Sequence, residues 1–298
     1  MRWFHEAVDR LHVALLHRII PPVFRHGIDS PSLSAHLAAV RLTLPALMAT
    51  RHYTVLAHTL IGEVTTGFQV RWGAQPDLPV IVYHHGIAEM PYDKSFRGIF
   101  RGSLSGQAHL VAVRAPFHRT WLDLLPGLGS MQHFLTMCAV AVQLGESVRQ
   151  ALLARGARGS VVVGTSLGGF LALVHHLMFG TADGYVPLLA GPDLAHVMLS
   201  THYHRFLASQ ALAHPTMLQD LLDLRQAFQV SDTRRVLPLL AQYDQDMLYA
   251  HHAACYAASG VPVVTIARGH ITGSLAFATL RAHVLACLQT LLQTTRCG

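Results

Sequence analysis

The chain predicts an α/β fold: a mostly parallel central sheet covered by helices on both faces. Three observations predict it. Short apolar runs rich in Val, Ile and Tyr recur at 79–84, 110–114, 160–164, 184–189, 236–243 and 262–267. Helical stretches fill the intervals between them at 92–104, 131–154, 167–179, 249–258 and 274–293, long enough to carry the chain back to a parallel neighbour. The 298 residues are 51% hydrophobic, enough to bury one large core.

Taken in order, residues 2–20 predict an amphipathic helix. Trp3, Ala7, Leu11, Leu15 and Ile19 recur at helical spacing, while Glu6, Asp9, Arg10, His17 and Arg18 occupy other faces. Pro21 and Pro22 end it. A second helical stretch is expected from Ser34 to Met48, interrupted near Pro45. Residues 1–50 are therefore read as a helical extension, with its apolar stripes packed on a main domain of residues 51–298. Contact of Trp3 and Phe4 with a membrane surface is the rarer use of such a face. An early strand pair, 53–61 and 63–72, turns around Gly62. Between the strands at 184–189 and 236–243 lies a span, about 191–234, with helical periodicity and no strand. It is longer than an ordinary crossover and predicts an inserted helical cap.

Composition excludes several classes. The net charge of +6 comes from dispersed arginines, with Lys94 the only lysine, and makes no nucleic-acid stripe. Cys138, Cys255, Cys287 and Cys297 lack paired spacing, so neither a disulfide framework nor a zinc site is expected. The 22 histidines include no His-Glu-x-x-His pattern, and no metal is expected. The first residues are interrupted by charge too often for a secretory signal, and no run is apolar enough for a spanning helix, so the expected location is the cytoplasm.

The chemistry is announced at 161–170, where an apolar strand breaks into Gly164-Thr165-Ser166-Leu167-Gly168-Gly169 and then into an apolar helix. A serine on such a strand-to-helix turn is a candidate nucleophile, because glycines two residues to either side let neighbouring backbone pass close. A serine hydroxyl needs a histidine base, itself oriented by a carboxylate. The strand ending at 243 runs into Asp244, and that ending at 267 into Gly269-His270, so Asp244 and His270 are the candidate acid and base. Asp246 and Asp193 stay open as alternative acids. All three candidates fall outside the carboxyl ends of strands, where parallel sheets gather active groups.

From about Pro79 to Gln293 the chain resembles the α/β-hydrolase superfamily. The resemblance rests on His84-His85-Gly86-Ile87, the 164–169 elbow, Ala241 to Asp244 and Gly269-His270, in the order Ser, Asp, His. It implies an oxyanion hole from the backbone N–H groups of Leu167 and Ile87, with Ala88 the second choice for the latter. It also implies hydrolysis of carboxylic esters through an acyl-enzyme, with no cofactor. The expected partner is a small ester with an apolar acyl or alkyl group, not a nucleic acid; thioesters, amides, acyl transfer and a non-catalytic binding role are the alternatives. His85, Trp121, Met198 and Phe206 are the expected pocket residues. Glu89 has no role arguable from the sequence.

Overall fold

The computed structural model describes residues 1–101 and 106–294. Among them, one nine-stranded sheet runs through the molecule in the order β1-β2-β3-β5-β4-β6-β7-β8-β9. The strands are β1 (Arg41–Leu42), β2 (Arg51–Thr59), β3 (Gly62–Arg71), β4 (Val80–His84), β5 (His109–Arg114), β6 (Ser160–Thr165), β7 (Gly184–Leu188), β8 (Leu239–Ala241) and β9 (Val264–Ile266). The first three are antiparallel to their neighbours, whereas β5, β4, β6, β7, β8 and β9 run parallel.

Burial follows the pairing. In β2, Tyr53, Val55 and Ala57 are buried and the alternate residues exposed, the half-covered pattern of an outer antiparallel strand. β4, β6 and β7 are buried throughout. Along β4 the side chains alternate between two cores. Val80 and Val82 join the one containing the helices α5 (Met131–Leu153) and α6 (Leu167–Met178), and Ile81 and Tyr83 the one containing α3 (Lys94–Ile99) and α13 (Phe277–Thr294). No single helix among the described residues is long and apolar enough to cross a membrane. A helix α4 (Trp121–Gly129) passes that test only jointly with α5, at a bend of 116°.

The insert consists of α7 (Leu194–Ser200), a 3-10 turn (His202–Phe206), α8 (Ser209–Leu212), α9 (Pro215–Leu222) and α10 (Arg225–Gln229). It is tied to the N-terminal extension through backbone bonds from Val23 N–H to Phe206 and from Ala208 N–H to Val23. After it come α11 (Tyr249–Ala258) and α12 (His270–Ser274).

Four local expectations change. The helix expected from 34 to 48 is α2 (Leu33–Ala39), capped by Ser32. It stops because Arg41 and Leu42 pair with β2, and Leu44, before Pro45, belongs to a stretch that proline disfavours for helix. β8 and β9 are shorter than expected, three residues each, and both start after a proline, Pro238 and Pro262 respectively, which has no N–H to contribute to a ladder. α4 was not expected, because Pro126, Gly127 and Gly129 disguise it; Thr120 caps its start through the Asp123 N–H. The helix expected over 92–104 is limited to α3, and residues 102–104 of that range lie outside the described residues.

The first helix, α1 (Arg2–Ile19), packs on the domain by the face opposite to the expected one. His5, Asp9, Val13 and Leu16 are buried, and the stripe read as its packing face is turned outward, with Trp3 73%, Leu11 61%, Leu15 53% and Ile19 68% exposed. The surface that receives α1 presents unpaired backbone N–H groups near residue 270. A carboxylate satisfies these and leucines do not.

Candidate active site

Parallel pairing brings the ends of β4, β6, β8 and β9 to one rim of the sheet. The connection after β4 leads to β5 on one side and that after β6 to β7 on the other, so the switch point lies between β4 and β6, beside Ser166. Ser166 stands at the end of β6 with φ 58° and ψ −123°, a conformation a non-glycine residue holds at a cost of about 1–3 kcal/mol. The turn is possible because a Cβ at Gly164 would collide with the backbone of Gly168, and one at Gly168 with that of His84. The Ser166 N–H is held by Leu188 O of β7 at 2.9 Å, and its carbonyl accepts the N–H groups of Gly169 and Phe170 in the first turn of α6.

The chain of hydrogen bonds proceeds from there. Ser166 Oγ lies 2.9 Å from His270 Nε2, and His270 Nδ1 lies 2.8 Å from Asp244 Oδ2. A carboxylate only accepts, so Nδ1 carries the proton and Nε2 offers its lone pair to the serine O–H. The second Asp244 oxygen accepts the N–H groups of Asp246 and Met247 at 2.8 and 2.7 Å, which fixes the carboxylate against rotation. Asp246 makes no bond to His270; Tyr203 Oη lies 3.5 Å from one of its oxygens, and the other is buried with no partner among the described residues. Burial pushes the Asp246 carboxyl up to about 7. Asp193, the third acid left open by the sequence, binds His251 instead. Burial works against charge on His270, but Asp244, Asp246 and Asp9 together raise its pKa above the ordinary histidine value.

Asp9 is the member that the sequence concealed. Fully buried, it accepts the N–H of His270 (2.8 Å) and of Gln245 (3.2 Å) on one oxygen and that of Ile271 (3.0 Å) on the other. It therefore caps the start of α12 from another element and joins it to the loop that carries Asp244. Gly269 permits this, since a Cβ there would come within 2.7 Å of the carboxylate. His5, one turn earlier, bonds Thr272 at 2.8 Å and stacks on Tyr243. The available signal was a lone carboxylate on one face with His5, Val13 and Leu16.

The loop after β4 passes close to the serine. Neither Leu167 N–H nor Ile87 N–H has an acceptor among the described residues, and both residues border the cavity beside Ser166 and His270. Loop shape comes from two side chains, the half-buried Glu89 and the buried His85. Glu89 accepts the Gly86 N–H at 3.2 Å and the Ser95 N–H on its other oxygen, and burial pushes its carboxyl up to about 7. His85, expected to line the pocket, does not. Its Nε2 accepts the Ala115 N–H at 3.1 Å, so its Nδ1–H is the donor to Gly86 O at 2.9 Å, and burial keeps it neutral. It braces the loop from behind because both ring nitrogens are already taken by backbone.

The cavity beside the serine has a volume of about 70 Å³ and is bounded almost entirely by apolar side chains. Met198 and Phe206 of the insert line it, as do Leu124, Leu128 and Phe134, and so do Leu16, Ile20 and Val23 of the N-terminal extension. Trp121 stands at an adjoining outer opening with His12, Ser166 and Leu275, rather than in the inner cavity. Elsewhere, His251 could join His252 and Cys255, or Asp193 and His196, around a metal ion. The second set fits poorly. The His196 and His251 rings are stacked at 3.6 Å and 8°, so one ion cannot lie in both ring planes, and Arg225 places its own charge 3.1 Å from Asp193.

No family model matches the sequence, and no curated protein matches it. The fold does match solved structures. A protein of Agrobacterium vitis provisionally described as a hydrolase aligns with TM-score 0.57 at 14% identity, over 80% of this chain and 99% of its own. An esterase of Pyrococcus furiosus aligns with TM-score 0.55 at 10% identity, over 89% and 97%. An acetyl xylan esterase of a Paenibacillus species gives 0.53 at 14%, over 82% and 87%. The chain has the α/β-hydrolase fold.

Proposed function

We propose that the protein is a serine hydrolase that cleaves carboxylic esters through an acyl-enzyme. The observation that carries this is the continuous hydrogen-bonded line Ser166–His270–Asp244, opening on an apolar cavity beside the backbone N–H groups of Leu167, Ile87 and Ala88, which have no acceptor among the described residues. His270 Nε2 takes the hydroxyl proton as Ser166 Oγ adds to the ester carbonyl. The oxygen that gains charge is received by Leu167 and Ile87 N–H, worth a few kcal/mol per donor in such sites. The imidazolium then returns its proton to the departing alkoxide, which leaves as the alcohol. Water, deprotonated by the same nitrogen, releases the acid and regenerates the serine. Asp244 holds the ring and offsets its transient charge.

The acyl group is placed among Leu124, Leu128, Phe134, Met198 and Phe206. Each methylene that enters removes apolar surface from water, at about 0.8 kcal/mol, so kcat/KM should rise roughly fourfold per carbon until the cavity is full. The test is a graded series of chromogenic acyl esters together with a fluorophosphonate label. Turnover and labelling are expected in the wild type and absent in Ser166→Ala; equal turnover by the variant would overturn the mechanism.

A further inference from the structure

We propose that the outer face of α1 docks the protein on an anionic lipid surface and presents the mouth of the Ser166 cavity to esters carried there. The docking stands on its own; the choice of substrate rests on the hydrolase reading above.

The outward stripe of α1 holds five large apolar side chains, Trp3, Phe4, Leu11, Leu15 and Ile19, each half exposed or more. Burying such side chains is favourable, and nothing in the fold covers them among the described residues. The stripe leads to the site. Leu15 and Ile19 are three residues from His12 and Leu16, respectively, along the helix; His12 borders the outer opening and Leu16 the inner cavity. Across that opening stand Trp121 and Leu275, with Leu122 beside Trp121, and all three are exposed. An apolar rim therefore surrounds the entrance to an apolar cavity.

Charge selects the occupant. The charged side chains that α1 exposes, Arg2, Arg10 and Arg18, are all basic. Its two carboxylates are withdrawn, Glu6 between Arg2 at 2.7 Å and Arg10 at 3.9 Å, and Asp9 in the interior. Arg119 is exposed near Trp121, and the chain carries a net +6. A second copy of the chain would set these arginines against themselves. An anionic bilayer attracts them, and receives a helix with aromatic residues at one end lying in its plane.

The test is flotation of the full chain with vesicles of phosphatidylcholine, with and without phosphatidylglycerol. Wild type and Ser166→Ala are expected to float with the anionic vesicles and to be released by high salt. The triple variant Trp3→Ser, Leu11→Ser, Leu15→Ser should bind at least about tenfold more weakly. It should hydrolyse a soluble short-chain ester at the wild-type rate and lose turnover of a long-chain ester presented in the vesicles. Wild type that stays with neither vesicle, or a triple variant that floats as well as wild type, would overturn the docking. So would a wild-type dimer that the triple substitution dissolves without any vesicle binding, since the stripe would then be covered by a second copy. Vesicle binding without turnover of any ester would leave the docking standing and remove the hydrolase reading instead.

Discussion

Two parts of the chain meet at His270, and they arrive there by different physical routes. Ser166 is presented by a turn whose requirements are local: a buried strand, two glycines and a helix, all within about a dozen residues. Asp9 arrives from a helix 261 residues earlier and owes its place to backbone N–H groups on the other side of the molecule. The first route is a backbone constraint that leaves a motif. The second is a matter of satisfying buried donors, and it leaves one carboxylate among several on an amphipathic helix. The same side chain types thus differ in how visible they are, according to whether the partner is near in the chain.

Substitutions can break this comparison, and the largest effect should come from the elbow. Ser166→Ala removes the nucleophile, and kcat/KM should fall by about a millionfold, measured on the best ester. Asp244→Asn should cost less, though still about 10⁴-fold in kcat, because an amide can favour the wrong imidazole tautomer. Asp246→Asn should cost far less, since Asp246 makes no bond to the ring. A larger loss at Asp246 would reverse the assignment of the acid.

Asp9→Asn comes next. An amide cannot accept at both of the oxygens that now serve three N–H groups, and charge-assisted bonds of this kind are worth about 1.5–3 kcal/mol, so a roughly ten- to hundredfold fall is expected. The pH profile separates positioning from mere packing. His270 must be neutral to accept the serine proton, so activity rises with pH through its pKa, and that pKa is raised by Asp244, Asp246 and Asp9. Removing one negative charge lowers it, and the acid limb of kcat/KM should move to lower pH. An unmoved limb would mean that Asp9 only packs the helix.

Glu89→Gln should be the mildest. The glutamine keeps one acceptor for the Gly86 and Ser95 N–H groups and loses the other. At about 1 kcal/mol for one neutral bond, kcat should drop roughly fivefold with KM little changed, because the loop holds an oxyanion donor and not the ground-state acyl group. A change confined to KM would place the loop in substrate binding.

The parallel sheet, the elbow and the order of serine, acid and histidine were legible because each is written in residues close together: unbroken apolar strands, a glycine pair, strand ends followed by a carboxylate or a histidine. Other features were not. Asp244 and Asp246 are two residues apart, and only the path of the loop after β8 decides which one faces the ring. The Pro-Gly composition of 126–129 argues against α4, yet tertiary packing accepts it. His85 sits where a pocket residue would, but its ring is turned behind the loop to serve Ala115 and Gly86. Glu89 has no signature at all, since its partners are backbone amides.

The amino-acid order by itself determined the layered architecture and the strained serine, because apolar periodicity and glycine placement act over a few residues and have few alternative outcomes. Only the folded molecule decided which face of α1 turns inward, which carboxylate holds the histidine, and that the first helix builds the wall and brace of a site completed near residue 270. These depend on unpaired donors and surfaces that exist only once distant segments have met.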